Sequence, residues 1–313
     1  MRIGITDSGV GGLSVCAEVE AALRRQPVAE DVEILYLNAA LEDDYSYNSM
    51  KTRREQLLTF DGFLRRAREL YRPDLLFIAC NTLSVLFEDP HFDSHRDDPI
   101  LGIVDTGSRA LLDAWRATAD AGIIVFATEI TVRENTYRKR LLEAGVPAER
   151  IVQQGCPGLP DAISNDLTGG QAAALLADYV PTAIRAFEAL PPRLLAFLGC
   201  THYGYHADRF ETALRAALPV GGETTVQVLN PNPHAARYIV SRIGSPPGGG
   251  RLGIRFVTRY AVPEKPLASL PRYLGDRAPL TVSALLNYEH RPDFFARFDN
   301  VEAGGPQTED TVP

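Results

Sequence analysis

Two of the four cysteines stand in settings where a sulfur atom could act as an acid, a base or a nucleophile. Each is followed by two polar residues, which are Asn81 and Thr82 after Cys80 and Thr201 and His202 after Cys200. Polar neighbours at the end of a strand are poor core material, and a helix that starts there favours the thiolate. The sequence therefore predicts that Cys80 and Cys200 carry chemistry.

The other two cysteines have plainer surroundings. Cys16 lies on an apolar helical face and Cys156 precedes Pro157, so we predict that both are structural. No two cysteines have the Cys-x-x-Cys spacing, and four thiols are too few for a disulfide scaffold in a chain of 313 residues. This composition favours free thiols in a reducing cytoplasm.

A glycine-rich turn follows the first apolar run. Its residues, Asp7-Ser8-Gly9-Val10-Gly11-Gly12, predict a tight turn into a helix whose free N–H groups can receive an anion. The turn does not match a dinucleotide-binding fingerprint, because Ser14 stands where a third glycine is needed, and no lysine completes a P-loop. Asp7 could orient or deprotonate a neighbouring acid; alternatively, Asp7 or Ser8 caps the helix.

Two histidine pairs have a spacing that a metal site could use. His202 and His206 are four residues apart, as are His91 and His95. No carboxylate or cysteine set of recognised spacing joins either pair, apart from Cys200 itself. We therefore predict no metal and no cofactor, and we expect His91 and His95 to lie in a solvated loop.

Charge and hydropathy exclude several classes of partner. The formal net charge is −8 with no dense run of lysine and arginine, which argues against nucleic acid and anionic lipid as main partners. No apolar run reaches the roughly eighteen residues of a membrane span, and the first residues do not form a secretory signal. We expect a cytoplasmic protein with a small-molecule substrate.

Apolar runs alternate with amphipathic helical patterns, which is typical of parallel β-α-β units. The predicted strands are Arg2–Thr6, Glu33–Leu37, Leu75–Ala79, Ile100–Val104, Gly122–Ala127, Leu194–Gly199 and Thr225–Leu229. The predicted helices are Leu13–Arg25, Thr52–Tyr71, Ser108–Thr118, Glu134–Ala144, Gln171–Leu190 and Ala207–Leu218. Several strands are apolar throughout, as expected when helices cover both faces of a sheet. We predict an α/β fold.

A faint internal repeat relates the reactive positions. Cys80 and Cys200 are 120 residues apart, and Asp7 and Thr128, which follow two other predicted strands, are 121 apart. Ligands of open α/β sheets bind at the carboxyl ends of the strands, where all four residues are expected. If the repeat is a duplication, two halves would face each other about a pseudo-twofold axis with one thiol on each wall of a cleft.

The length of the chain favours two domains, because it exceeds what a single core usually holds. We assign residues 1–98 and 208–300 to a first, discontinuous α/β domain and residues 99–207 to a second. Residues 244–250 have the composition of a loop, and we expect a disordered tail at 301–313.

At these motifs the sequence resembles the aspartate/glutamate racemase superfamily, most closely glutamate racemase. The matching segments are Asp7–Val15, Ala79–Thr82, Ala127–Tyr137 and Gly199–Tyr203. They occur in the family's order and at similar spacing, so that together they are far more specific than any one of them.

The resemblance implies two pseudo-symmetric α/β domains with the active site in the cleft between them, often in a homodimer. It implies that Cys80 and Cys200 are the acid/base pair, assisted by Asp7 and His202. The residues that it assigns to the substrate are Ser8, Tyr47, Asn48, Asn81, Thr82, Thr128, Thr131 and Thr201. It also implies supply of a D-amino acid, such as D-glutamate for peptidoglycan.

Two thiols suit the inversion of a stereocentre. Racemisation removes a proton from one face of Cα and returns one to the other, so a thiolate and an opposing thiol provide both roles. Unperturbed cysteine has a pKa of about 8.5, so a modest shift gives a usable base near neutral pH. No sequence signal points to pyridoxal phosphate.

The chain departs from the family where a substrate side chain would be read. The family's Pro-Tyr-Gly segment is Ser46-Tyr47-Asn48 here, with Asp43 and Asp44 just before it, and Ile130 replaces a glycine. The family's usual glutamate has no clear counterpart; the nearby candidates are Asp161 and Asp166. We expect proton transfer to be kept and selectivity to differ, with glutamate as the first candidate substrate and aspartate as an alternative.

Two other functions stay open at this stage. Cys200 as nucleophile and His202 as base would make a Cys/His hydrolase, which leaves Cys80 without a role. A non-catalytic ligand-binding protein on the same scaffold would explain the altered pocket residues.

Overall fold

The computed structural model describes residues 1–26, 28–43, 45–118, 120–244 and 248–296. Within these ranges the strands are β1 Arg2–Asp7, β2 Val32–Asn38, β3 Leu75–Ile78, β4 Ile100–Gly102, β5 Gly122–Ala127, β6 Ile151–Gly155, β7 Arg193–Gly199, β8 Thr225–Leu229, β9 Leu252–Thr258 and β10 Glu289–His290. All the strand pairs formed by these residues are parallel.

Helices connect and cover the strands. The α-helices are α1 Leu13–Arg25, α2 Arg53–Tyr71, α3 Asn81–Leu86, α4 Ile103–Ala117, α5 Glu129–Glu134, α6 Thr136–Glu143, α7 Leu159–Asn165, α8 Gly170–Arg185, α9 Ala207–Ala217, α10 Asn232–Ile243, α11 Glu264–Leu274 and α12 Pro279–Leu286. Short 3-10 helices span Pro90–His95, Ala148–Arg150, Thr201–His206 and Gly275–Arg277.

The strands form two sheets. One has six strands in the order β10-β9-β2-β1-β3-β4, and the other has four in the order β6-β5-β7-β8. Strands β3 and β5 are buried along their whole length, as expected for strands covered by helices on both faces. The predicted α/β fold with two parallel sheets is confirmed.

All seven predicted strands are present, but three strands were not predicted. Strand β6 has only two apolar residues at its start, and β9 begins with alternating exposed and half-buried positions, so neither gives an apolar run. The two-residue strand β10 is too short to leave a pattern. The predicted strand Ile100–Val104 ends at Gly102, because α4 begins at the next residue.

The sheet membership differs from the predicted domain division in one place. Strand β8 pairs with β7, with Ala196 opposite Val228, so the four-stranded sheet extends to Leu229 and not only to residue 207. The chain returns to the six-stranded sheet with β9, which pairs with β2. The domain boundaries themselves stay a prediction, and Asp44, residues 245–247 of the predicted loop and the predicted tail at 301–313 lie outside the described residues.

The register of the two sheets gives the internal repeat a structural counterpart. Ile3 pairs with Leu75 between β1 and β3, and Ile123 pairs with Leu195 between β5 and β7. The second pair follows the first by 120 residues at both positions, which is also the separation of the two reactive cysteines. By this offset the counterpart of Thr128 is Ser8, not Asp7 as the sequence comparison suggested.

The last helix of the six-stranded half is fixed to α1 by one buried carboxyl group. The oxygens of Glu20 accept hydrogen bonds from the backbone N–H groups of Leu280 and Thr281 at 2.9 and 2.7 Å and from the Thr281 hydroxyl at 2.8 Å. These are the free donors in the first turn of α12, where a carboxyl group is favourable.

Replacing Glu20 with leucine is expected to lower the free energy of unfolding by about 1–3 kcal/mol, because buried N–H groups would lose their acceptor. Urea unfolding followed by circular dichroism measures this change. Glu18→Leu is the matched control on the same helix: its exposed ion pair with Arg277 at 3.0 Å contributes less than about 1 kcal/mol. Equal losses in the two variants would contradict the capping role of Glu20.

Candidate active site

The carboxyl ends of neighbouring strands converge on one cleft. Asp7 ends β1 beside β3, which leads to Cys80, and Thr128 follows β5 beside β7, which leads to Cys200. Residues from both sheets line a cavity of about 270 Å³. The two cysteines both line it, and each is largely buried, with 6% of Cys80 and 7% of Cys200 exposed.

Most of the predicted site residues share this cleft. Those that line it are Asp7, Ser8, Asn48, Cys80, Asn81, Thr82, Thr128, Cys200, Thr201 and His202. Two predicted substrate contacts, Tyr47 and Thr131, are not among the lining residues. The tertiary structure thus brings ten of the twelve predicted residues together.

Tyr47 is fully buried in the core of the six-stranded half, with its ring packed edge-on against Phe60. Its neighbours Ser46 and Asn48 line the cleft, whereas its own ring packs in the core cluster that also holds Cys80. Thr131 lies behind Thr128, to which its hydroxyl hydrogen-bonds at 3.0 Å. Neither side chain lines the cavity, and their contact with substrate stays a prediction.

The wall that carries Cys80 is built from the six-stranded half. Cys80 directly precedes α3, and its Sγ lies 3.1 Å from the Ser8 hydroxyl. Burial raises the pKa of the Cys80 thiol to about 12, and the nearby Asp7 carboxyl adds to the rise, whereas the hydrogen bond to Ser8 opposes it. In the free site this thiol is protonated at neutral pH.

The opposite wall carries Cys200 and a histidine. The Cys200 Sγ lies 3.7 Å from Nδ1 of His202. Burial raises the pKa of Cys200, and the neighbouring Cys80 adds to the rise. Burial lowers the pKa of His202 to about 4, so its imidazole is neutral at pH 7.

Asp7 connects the two walls. Its Oδ2 accepts a hydrogen bond from the Thr201 hydroxyl at 2.9 Å, and its carboxyl also receives backbone N–H groups from the turn that follows β1. Burial nevertheless raises its pKa to about 7, because these bonds only partly offset the loss of solvent. Asp7 can therefore hold or release a proton near neutral pH.

Close packing fixes the Cys200 turn against the first sheet. A Cβ atom on Gly11 would lie 2.4 Å from Nδ1 of His202, so only glycine allows this approach. The amide of Asn232 donates to the Thr201 carbonyl at 2.9 Å and to the Ser14 hydroxyl at 2.8 Å. The turn is thus held by residues distant in sequence.

Several lining residues were not predicted. Cys156, predicted to be structural, is fully buried but reaches the cleft wall beside Pro157. Tyr260 and the residues that lead into α11 close another side, and they follow β9, the strand that the pattern did not reveal. Of the two candidate acids, Asp161 lines the cleft, whereas Asp166 instead accepts hydrogen bonds within its own loop.

The described histidines belong to no group of three or more His, Cys, Asp or Glu side chains that could hold a metal ion. His95 is not solvated as predicted: it is 4% exposed, with Nε2 at 2.7 Å from Asp61 and Nδ1 at 3.1 Å from Asp98.

The helices of the described residues are each too short or too polar to span a bilayer.

Comparisons with known proteins agree with this arrangement. No family model matches the chain. It is 32% identical to the glutamate racemase of Pseudomonas entomophila over 205 residues, which cover 65% of this chain and 69% of that protein. The chain belongs to the glutamate racemase family. It is therefore an isomerase of the racemase class.

Solved structures of glutamate racemases share the fold. The enzyme from Bacillus anthracis superimposes with a TM-score of 0.63 at 22% identity, covering 93% of this chain and 95% of that one. The enzyme from Francisella tularensis, solved in complex with D-glutamate, gives a TM-score of 0.61 at 19% identity, covering 87% and 93%. The family's two-sheet architecture is thus present in this member.

Replacing Asp7 with asparagine is expected to change how stability depends on pH. The folded state keeps a proton on Asp7 up to about pH 7, whereas the unfolded chain releases it near 3.8. Relative to the variant, the wild type should therefore lose stability as pH rises from about 4 to about 7, by at most about 1.4 kcal/mol per pKa unit. Urea unfolding near pH 5 and near pH 8 measures the difference.

Asp97→Asn is the matched control, since Asp97 is exposed and lies outside the cleft. Its difference from the wild type should be the same at both pH values. If the Asp7 variant also shows a constant difference, the raised pKa of Asp7 is wrong.

Proposed function

We propose that this racemase needs no cofactor and moves the Cα proton of an amino acid between Cys80 and Cys200. The observation that carries the proposal is that both thiols line one small cavity, each beyond an equivalent strand of the two sheets. Each thiol also has its own neighbouring group, a hydroxyl on one wall and an imidazole on the other.

The proton balance requires opposite states of the two sulfurs. A thiolate on one wall takes the proton from Cα, so that the C–H bond breaks and an S–H bond forms. The thiol on the other wall then gives its proton to the opposite face of the planar carbanion. The product is the mirror image, and the two sulfurs have exchanged states for the reverse reaction.

Binding of substrate supplies the charge that makes a thiolate. Burial keeps both thiols protonated in the free cleft, and no lysine or arginine is among the described residues that line it. The α-ammonium group of an amino acid is a cation that lowers the pKa of a nearby thiol. Asp7, with a pKa of about 7, can take the proton of a thiol, whereas neutral His202, with a pKa of about 4, is the weaker base and can hydrogen-bond the sulfur of Cys200.

The buried residues Asn81, Thr82 and Thr128 line the inner end of the cleft, which we call its floor. They offer neutral hydrogen-bonding groups to the α-carboxylate. The Asn81 Oδ1 accepts from the Tyr137 hydroxyl at 2.5 Å, while its buried Nδ2 has no partner among the described residues. A buried donor without an acceptor is costly, and a carboxylate would satisfy it. The hydroxyls of Thr82 and Thr128, 2.8 Å apart, lie beside it and can stabilise charge that develops at the carboxylate.

Glutamate is the first substrate to test, because the curated relatives carry its name, and aspartate is the next. With glutamate, the enzyme would supply D-glutamate for peptidoglycan in the cytoplasm, where it would act as a homodimer.

Replacing either Cys80 or Cys200 with alanine is expected to lower kcat for racemisation by at least about 10²-fold, because each removes one partner of the proton transfer. Chiral chromatography of each L-amino acid after incubation with the enzyme measures the rate. Cys16→Ala is the control: Cys16 is buried in α1 outside the cleft, so its variant should keep wild-type activity.

The same variants separate the racemase from a Cys/His hydrolase, which the 3.7 Å contact between Cys200 and His202 would also permit. A hydrolase would lose activity only with Cys200, so a Cys80→Ala variant with near wild-type turnover would refute the two-base proposal. A protein that merely binds its ligand would exchange no α-hydrogen with deuterated solvent for any amino acid.

A further inference from the structure

The polar groups of the cleft are sorted by charge and depth. The buried residues at its floor are mostly neutral, among them Asn81, Thr82, Thr128 and Thr201. The acidic residues Glu42, Asp43, Glu129 and Asp161 also line the cleft but are solvent-exposed, which puts them towards its mouth. Because lysine and arginine are absent from the described lining residues, the mouth carries negative charge only.

Three of these carboxyl groups have no cationic partner. Among the described residues, Glu42, Glu129 and Asp161 form no ion pair, whereas acidic groups elsewhere are commonly paired. Glu88, for example, lies 2.5 Å from Arg140. The charge of these three groups is therefore not neutralised by an ion pair within the described part of the protein.

The acidic residues reach the mouth from separate elements. Glu42 follows β2 of the six-stranded sheet, Glu129 begins α5 and Asp161 lies on α7 of the other half. Around Tyr260 the fields of three acidic residues overlap: its pKa is raised to about 12 chiefly by burial, and Asp43, Asp7 and Asp161 add to the rise. A ligand between the halves would meet negative potential from both sides.

Burial also changes the pKa of Asp161, the acidic residue on α7. Partial loss of solvent in the cleft raises the pKa of Asp161, and no hydrogen bond from the described residues offsets it. A cation placed beside this carboxyl group would be attracted to it and would favour its ionised form.

We infer that the cleft selects an amino acid with a positively charged side chain, such as lysine, arginine or ornithine, in preference to glutamate. This inference rests on the proposed racemase function. With the α-carboxylate at the neutral floor beside the thiols, the substrate side chain extends to the mouth. There the carboxyl groups attract an ammonium or guanidinium group and repel a second carboxylate.

The test is exchange of the α-hydrogen with deuterated solvent, followed by NMR for L-lysine, L-arginine, L-glutamine, L-glutamate and L-aspartate. We expect kcat/KM for lysine or arginine to exceed that for glutamate at least about tenfold, with a ratio that falls as salt is added because exposed charges are screened. If glutamate exchanges as fast as the basic amino acids or faster, the inference is wrong and the proposed function stands. If none of the five exchanges, the proposed function itself fails and this inference fails with it.

Charge-neutral variants identify the residues responsible. Asp161→Asn and Glu129→Gln should each lower the ratio of kcat/KM for lysine over glutamate several-fold, mainly through KM for lysine. Asp97→Asn and Glu143→Gln are matched controls that remove an exposed carboxyl group outside the cleft, and they should leave the ratio unchanged. Equal effects of cleft and control variants would show that total charge, not the mouth of the cleft, sets the preference.

Discussion

The parallel pairing of β1 with β3 and of β5 with β7 is the constraint on which the rest of the site depends. Both pairs have the same register, so each presents two strand ends side by side, and the two cysteines follow equivalent strands. A slip of one residue would move every side chain to the opposite face of the sheet, where it would not fit the helices packed there, since β3 and β5 are buried along their whole length. The positions of the sulfurs are therefore set by the sheet cores.

The burial that positions the thiols also sets their protonation. Loss of solvent raises the pKa of both cysteines and lowers that of His202, so these three groups are uncharged in the free site at neutral pH. A protonated thiol is a poor nucleophile. In the proposed mechanism the reactive form therefore depends on a bound cation, and an amino acid carries one next to the carbon that must lose its proton.

The floor and the mouth of the cleft are built from different kinds of segment. Its floor comes from strand ends and the turns directly after them, which the core holds in place. Its mouth comes from loops and short helices, including the residues around Asp161 and Tyr260. Such segments can vary without disturbing the core, so the same proton transfer can serve substrates with different side chains.

The sequence by itself determined the α/β class, seven of the ten strands that the described residues form, and the motifs around the two cysteines. These depend on local patterns: apolar runs mark buried strands, and polar residues directly after them mark strand ends. Only the tertiary structure decided that the ring of Tyr47 points into the core and that Cys156 reaches the cleft. Side-chain direction in irregular segments has no period to read, because packing with distant residues sets it. The same holds for the wall at Tyr260, since strand β9 joins β2 across more than two hundred residues of chain.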